Sequence, residues 1–193
     1  MKKILTLFLV LLSVCTLSGQ QTVDYILKAR ALTEAGKPEQ AIDLLSEAIS
    51  GTKESRLYTE RAEANILKGD YSGALSDFNE ANKITPFSGE YGLSRIYALK
   101  GDAATALYHL EINLNSSYKK GEKKIMLDQA FGIIENRQEW RQFWKKEWYS
   151  INEKSISEIE YYVSAGKIDE AKAVLAELKK SYKSNDDILY AEA

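Results

Sequence analysis

The amino-acid sequence predicts an all-α protein built as a helical solenoid, and three observations carry that prediction. Glycines recur at an almost constant spacing, with one interval about twice as long as the others: Gly36, Gly69, Gly101 and Gly166. Each glycine is followed five positions later by an alanine, and four positions after that by a large apolar side chain. Proline occurs only twice in 193 residues, which suits a helical chain. A period of about 33 residues indicates stacked pairs of helices.

The four glycines are expected to form the turns within the helix pairs. A glycine can adopt the left-handed conformation that ends a helix, and Pro38, Asp70 and Asp102 lie just after three of them, where they suit a helix start. Small residues five positions after each glycine would let the second helix approach the first: Ala41, Ala74, Ala106 and Ala171. The same requirement explains Ala29, Ala62 and Ser94, which are small where a first helix would meet its neighbour.

One stretch, residues 55–88, carries the pattern most completely. An aromatic residue, a small residue, a Gly-Asp-aromatic turn and an alternation of small and aromatic residues follow in order: Tyr58, Ala62, Gly69-Asp70-Tyr71, Ala74, Phe78, Ala81 and Pro86. This pattern resembles the tetratricopeptide repeat family. The resemblance implies a right-handed solenoid of helical hairpins with about four or five repeats, at 22–54, 55–88, 89–120, 121–151 and 152–185. The third repeat and the repeat at 152–185 are looser, since Asn113 and Leu178 replace the last alanine.

Residues 121–151 lack the repeat pattern but keep its length. They read as helix, turn and helix, with Asn136 as the turn residue, so we interpret them as a diverged repeat. Residues 186–193 read as the start of a further first helix. That helix is expected to be either a lone capping helix or the opening of a longer array.

Residues 1–19 have the layout of a secretory signal peptide. Two lysines precede an apolar run from Ile4 to Val14, and small and polar residues follow. Cleavage is expected after Ser18 or Gly19, with export to the periplasm or the outer side of a bacterial envelope. Cys15 is the only cysteine, so a membrane-anchored assembly subunit with an acylated Cys15 is the alternative, although Val14 is large for the position before such a cut.

The sequence predicts binding rather than catalysis. His109 is the only histidine, and no cysteine follows the signal segment, whereas metal sites generally need three or four ligands. No glycine-rich phosphate loop or Ser-His-Asp arrangement is visible, and a net charge of −2 gives no general field to attract nucleic acid. We expect no enzyme activity, cofactor or metal. The expected partner is a protein or peptide, not nucleic acid, a small molecule or a membrane. An enzyme would need a catalytic domain after Ala193.

In the tetratricopeptide family the first helices line a concave surface. The resemblance carries those positions over to this chain, among them Arg30, Thr33, Thr59, Glu63, Ile66, Tyr91, Arg95 and Glu160. One equivalent position therefore reads Arg30, Glu63, Arg95 and Glu160, which fits either neutralisation between neighbouring repeats or a mixed-charge peptide site. The family's clamp for carboxy-terminal peptides is not matched, because Glu63 replaces an asparagine, so chaperone-tail binding is not expected.

Two further clusters need an interpretation. Trp140, Phe143, Trp144 and Trp148 recur at i, i+3, i+4 and i+8, which is one face of a helix. We predict that these rings form a core lock where the repeat pattern breaks, since aromatic stripes are usually core, and the alternative is a docking ridge for another protein. The lysine-rich stretch 118–124 is interpreted as a solvated loop, because Glu122 interrupts it and the whole chain is acidic, and the alternative is a patch for an anionic partner.

Overall fold

The structure is a computed structural model that describes residues 20–181. Within these residues every regular element is helical and no strand occurs, which confirms the predicted all-α class. The chain divides into two compact units with the boundary between Ile96 and Tyr97. The predicted signal segment 1–19 and the predicted further helix 186–193 lie outside the described residues.

The first unit contains four helices and most of a fifth. Their bounds are α1 over 20–34, α2 Pro38–Gly51, α3 Ser55–Lys68, α4 Tyr71–Ile84 and α5 Glu90–Leu99. Adjacent helices pack as pairs, α2 against α3 and α3 against α4. The apolar faces of α1, α2 and α3 close on one core: Ile26, Ala29, Ala41, Leu45, Ala48, Leu57 and Ala64. Phe78 of α4 joins a second core with Leu93 and Ile96 of α5.

The predicted turns lie at the predicted glycines. All four have a left-handed backbone, with φ between 70° and 84°. In each turn the glycine N–H donates to the carbonyl three positions earlier and the next N–H donates to the carbonyl five positions before it, as at Gly69 to Ile66 (3.0 Å) and Asp70 to Asn65 (2.8 Å). These two hydrogen bonds satisfy the last carbonyls of a helix. The Asp70 carboxylate then accepts from the Gly73 N–H at 2.9 Å and caps α4.

The small residues lie where the helices meet. Each of the four alanines after the glycines is at most 5% exposed, and Ala29, Ala62 and Ser94 are at most 1% exposed. A buried polar network adds to the register of α2, α3 and α4. Arg61 donates to both oxygens of Asp77, at 2.9 and 2.7 Å, and to the Ser46 hydroxyl at 3.0 Å. Asp77 has only 5% of its side chain exposed. Its ion pair with Arg61 therefore serves the register of the helices more than it adds to stability.

The second unit contains α6 Ala103–Leu114, α7 Glu122–Met126, a 3₁₀ turn Gln129–Phe131, α8 Gln138–Phe143, α9 Ile151–Ser164 and α10 Ile168–Ser181. The regular pair is α9 and α10, which bury Ile159, Ala171 and Leu178 between them. A capping box starts α9, since the Ser150 hydroxyl accepts from the Glu153 N–H and the Glu153 carboxylate accepts from the Ser150 N–H.

Residues 121–151 differ from the predicted pair of long helices. Asn136 does lie in a turn, but the helices beside it have only five and six residues. Asp128 interrupts the first one, because its carboxylate accepts from the Ala130 N–H at 3.0 Å and so favours a local turn over helix. The second ends at Phe143, whose carbonyl accepts from the Trp148 indole N–H at 2.9 Å instead of from a continuing helix.

Candidate functional site

Helices α1 and α3 carry equivalent stripes, and each stripe includes one predicted concave residue, Arg30 or Glu63. Four residues of α1 are spaced at i, i+4, i+7 and i+11, which places them on one helix face, and four residues of α3 repeat that spacing one period later. We call these eight residues the α1–α3 face: Val23, Leu27, Arg30 and Glu34 on α1, and Arg56, Glu60, Glu63 and Leu67 on α3.

A shallow depression of about 190 Å³ lies between the two stripes. Its lining comes from both helices: Ala29, Arg30, Thr33, Glu34, Glu60, Glu63 and Leu67. Five of these seven residues belong to the α1–α3 face, and Ala29 and Thr33 do not. Arg30, Thr33 and Glu63 are thus three sequence-predicted concave residues that the structure brings together. The remaining members of the lining complete the depression with two carboxylates, one exposed leucine and a buried alanine.

Arg30 and Arg95, which occupy the same position of two predicted repeats, both form ion pairs, but their partners lie at different repeat positions. Arg95 donates from Nη1 to both carboxylate oxygens of Glu63, each at 2.6 Å. Arg30 does not reach Glu63 but binds Glu60, one helical turn earlier, with two hydrogen bonds, of which the one from Nε is 2.9 Å. The hydrogen bond with Glu60 raises the pKa of Arg30 above its ordinary value, so this guanidinium stays cationic.

Glu34 differs from the other charged residues that line the depression. Within the described residues 20–181 it forms no ion pair or hydrogen bond, although its charge contributes to the raised pKa of Arg30. Leu67 lies opposite on α3 with 63% of its surface exposed, and Leu27 of the same face is 58% exposed. The depression therefore combines satisfied ion pairs, a solvated carboxylate and uncovered apolar surface.

The other predicted concave residues have different positions. Thr59 is half-buried and its hydroxyl donates to the Arg56 carbonyl, while Ile66 packs against the α4–α5 core. Tyr91 is only 7% exposed, so its interpretation as a surface-facing concave residue is wrong. Its ring lies 5.9 Å from the Arg95 guanidinium carbon and supports that side chain instead. Glu160 is exposed on α9 and belongs to the second unit.

The aromatic cluster is mostly interior. Trp140 and Trp148 are 7% and 9% exposed, and Phe143 and Trp144 are half-buried. Successive rings touch, with centroids 5.6 Å apart for Trp140 and Trp144 and 4.6 Å apart for Phe143 and Trp148. The single helical stripe predicted through Trp148 is wrong, because α8 ends at Phe143. Helix α8 packs on α6 as the core interpretation expects.

The lysine-rich stretch is not a simple solvated loop. Lys119 Nζ donates to the Trp148 carbonyl and to the Glu153 carboxylate, and it lies 4.5 Å from the centroid of the Tyr149 ring. Lys123 lies 4.6 Å from the Tyr161 ring centroid. These two cations therefore hold parts of the second unit together, and the solvated-loop interpretation is wrong for them.

His109 stacks on the Tyr97 ring, with centroids 5.4 Å apart and planes 6° apart. In the part of the chain that the structure describes, no group of three or more His, Cys, Asp or Glu side chains is placed to hold a metal ion. None of the helices among residues 20–181 is long and apolar enough to cross a membrane.

Sequence reasoning did not single out Glu34, Glu60 or Leu67. A signal for them was present, since Glu60, Glu63 and Leu67 lie one repeat period after Leu27, Arg30 and Glu34. The repeat period, applied to the neighbours of Arg30 and Glu63, identifies these residues as equivalent positions of α1 and α3. Which carboxylate Arg30 selects could not be read from that period.

No protein-family model, curated protein or solved structure matches the chain.

Proposed function

We propose that this chain is an exported, non-catalytic scaffold that binds another protein or peptide on the α1–α3 face. In this proposal the helix pairs form a right-handed solenoid of the tetratricopeptide type, with 121–151 as its diverged repeat. The observation that carries it is the depression of about 190 Å³ that Arg30 and Glu63, two predicted concave residues, both line.

The chemistry of the face supports binding of a peptide more than of a small molecule. Sites for drug-sized ligands usually enclose about 300–1,000 Å³, whereas this depression is smaller and open along the two helices. Its ion pairs are already formed, so they offer fixed orientation without a large desolvation cost, and exposed Leu27 and Leu67 offer apolar contact. Protein interfaces commonly combine apolar contacts with polar and charged groups.

Photo-crosslinking in intact cells tests the binding proposal. A photoreactive amino acid at Leu67 should give a defined adduct with one partner. The same group at Asp43, an exposed residue of α2, should give none. A second variant, Leu67→Gln, removes the apolar contact without adding charge and should weaken partner capture while the helical content and melting temperature stay unchanged. Equal adducts from both positions, or none from either, would contradict the proposal.

Export is a separate part of the proposal and rests on residues 1–19. Mass spectrometry of the mature chain tests it, because cleavage after Ser18 or Gly19 should leave Gln20 at or near the start. An acylated Cys15 at the start would favour the membrane-anchored alternative, and an intact Met1 with no fractionation to the envelope would contradict export.

A further inference from the structure

The depression of the α1–α3 face has an excess of negative charge. Three carboxylates line it, those of Glu34, Glu60 and Glu63. The two arginines bound to them are Arg30 and Arg95, so one negative charge is left over. Glu34 is the residue that carries it, since it is the member with no ion pair among the described residues.

The geometry points to a partner segment that places a lysine or arginine side chain in this depression, next to Glu34, and an apolar side chain against Leu67. This inference rests on the proposed function, because it specifies which segment the α1–α3 face would take. The occupant is thus a basic and apolar stretch of another protein.

The ion pairs already formed at the depression favour a cationic side chain of the partner over an acidic one. An acidic side chain would have to compete with Glu60 for Arg30 or with Glu63 for Arg95. A cationic side chain meets the left-over charge of Glu34 and leaves both pairs intact. A cation therefore gains Coulomb attraction to Glu34, whereas an anion is repelled by Glu34 and has to displace a carboxylate from an arginine.

The volume of the depression and its exposed leucine indicate which side chains of the partner segment fit there. A volume of about 190 Å³ exceeds the roughly 30 Å³ of one water several times, which is the scale of one long side chain. Lys and Arg bury their aliphatic stems along apolar surface while the charged head stays polar, and Leu67 provides that surface with 63% exposed. Leu27, on the same face of α1 but outside the lining of the depression, is a second exposed apolar residue.

A peptide selection tests this inference. Random dodecapeptides displayed on phage are selected against the immobilised full chain, and enriched peptides are synthesised and measured by fluorescence anisotropy. Sequences with Lys or Arg within two positions of Leu, Ile or Phe should be enriched. Acidic or uncharged sequences that lose binding to Leu67→Gln would overturn the basic-segment inference and leave the proposed function standing. The absence of any enriched binder would overturn both.

A double-mutant cycle then assigns the charge to Glu34. Glu34→Gln should weaken an enriched basic peptide about three- to fivefold, the range of a partly exposed ion pair. Glu39→Gln, which removes the same charge from an exposed position on α2, should leave the Kd unchanged. A peptide with norleucine in place of the basic residue should bind wild type and Glu34→Gln equally. Equal weakening of both peptides, or no weakening of the basic one, would overturn the assignment.

Discussion

Two stretches of equal length satisfy their backbone polar groups in different ways. The α3–α4 pair, Ser55–Ile84, does so almost entirely within two 14-residue helices. The stretch 121–150 has helices of five and six residues, which leaves many carbonyls and amides outside any helix. Since a buried polar group without a partner costs free energy, the irregular stretch needs another source of hydrogen bonds.

Backbone turns supply part of those bonds in 121–150, as from the Ile134 N–H to the Phe131 carbonyl at 2.9 Å, and side chains supply others. Tyr149 donates its hydroxyl to the Lys120 carbonyl at 2.6 Å. Lys119 binds the Trp148 carbonyl, Arg141 binds the Asn136 carbonyl and the Ser157 hydroxyl accepts from the Lys123 N–H. The buried Asn113 holds the preceding loop in the same manner, through the Tyr118 carbonyl and the Lys120 N–H.

The two stretches have different structural requirements, and for this reason one follows a repeat pattern and the other does not. In α3–α4 the requirement is small residues at helix contacts, a local and periodic demand. In 121–150 it is a set of specific long side chains, each matched to one backbone group, and such a set has no period. The aromatic cluster supplies the core of this stretch, as the contact of Trp140 with Phe131 at 5.2 Å between centroids shows.

The largest expected effect is the loss of the Trp140 ring. Trp140→Ala should lower the free energy of unfolding of the second unit by about 3–5 kcal/mol, because it removes a buried ring and leaves a cavity. Trp144→Ala should cost less, since that ring is half-buried. Urea unfolding followed by the fluorescence of the remaining tryptophans measures both. All three tryptophans lie in 140–148, so the signal reports this unit. A larger loss from Trp144→Ala would contradict the interpretation.

The matching test of the regular stretch is Ala74→Leu. Ala74 has no exposed surface, and a larger side chain would overpack the contact of α3 with α4 at a cost of about 1–3 kcal/mol. Thermal unfolding followed by far-ultraviolet circular dichroism measures it. Ala104→Leu, at an exposed position of α6, is the control and should leave the melting temperature nearly unchanged. Equal shifts in the two variants would show that the helix contact is not at Ala74.

Local backbone signals explain how much of the fold the sequence predicted. Gly69 needs a left-handed φ and Asp70 caps the next helix, and both requirements act within a short stretch of chain. Ala74 is small because one neighbouring helix lies against it, which repeats in each pair. These features recur with the period, so the four turns and the helix contacts could be placed in advance.

The remainder depends on contacts that the period does not encode. The end of α8 is set by the Trp148 indole that reaches back to Phe143, so helical spacing alone wrongly extended the stripe to Trp148. At the candidate site Arg30 and Glu63, both singled out from the sequence, line one depression. The sequence could not give their pairing, because Arg95 takes Glu63 and Arg30 turns to Glu60, and that choice leaves Glu34 without an ion pair.

A smaller effect is expected from the side-chain hydrogen bonds of the irregular stretch. Tyr149→Phe removes the bond to the Lys120 carbonyl and should cost about 1 kcal/mol. Burial raises the pKa of Tyr149, so the hydroxyl remains a donor throughout the physiological range. Tyr108→Phe is the control, since Tyr108 is 61% exposed. If the two variants had the same urea midpoint by tryptophan fluorescence, the hydroxyl would not be part of what orders this stretch.

The smallest expected effect is a pH dependence that involves Glu153. Burial raises the pKa of its carboxyl, but hydrogen bonds from Lys119 and Ser150 outweigh burial and lower it below the ordinary value of 4.5. A carboxyl with a lowered folded pKa stabilises the fold fully above its ordinary pKa, and this contribution disappears as the pH falls through the folded value. The second unit should therefore lose stability below about pH 4.5 more steeply in wild type than in Glu153→Gln. Urea midpoints by tryptophan fluorescence between pH 7 and pH 3 measure this, with Glu135→Gln, an exposed glutamate, as the control. Parallel curves for wild type and Glu153→Gln would mean that the link from Lys119 to the start of α9 is not held by charge, and the hydrogen bonds of 121–150 would then act without it.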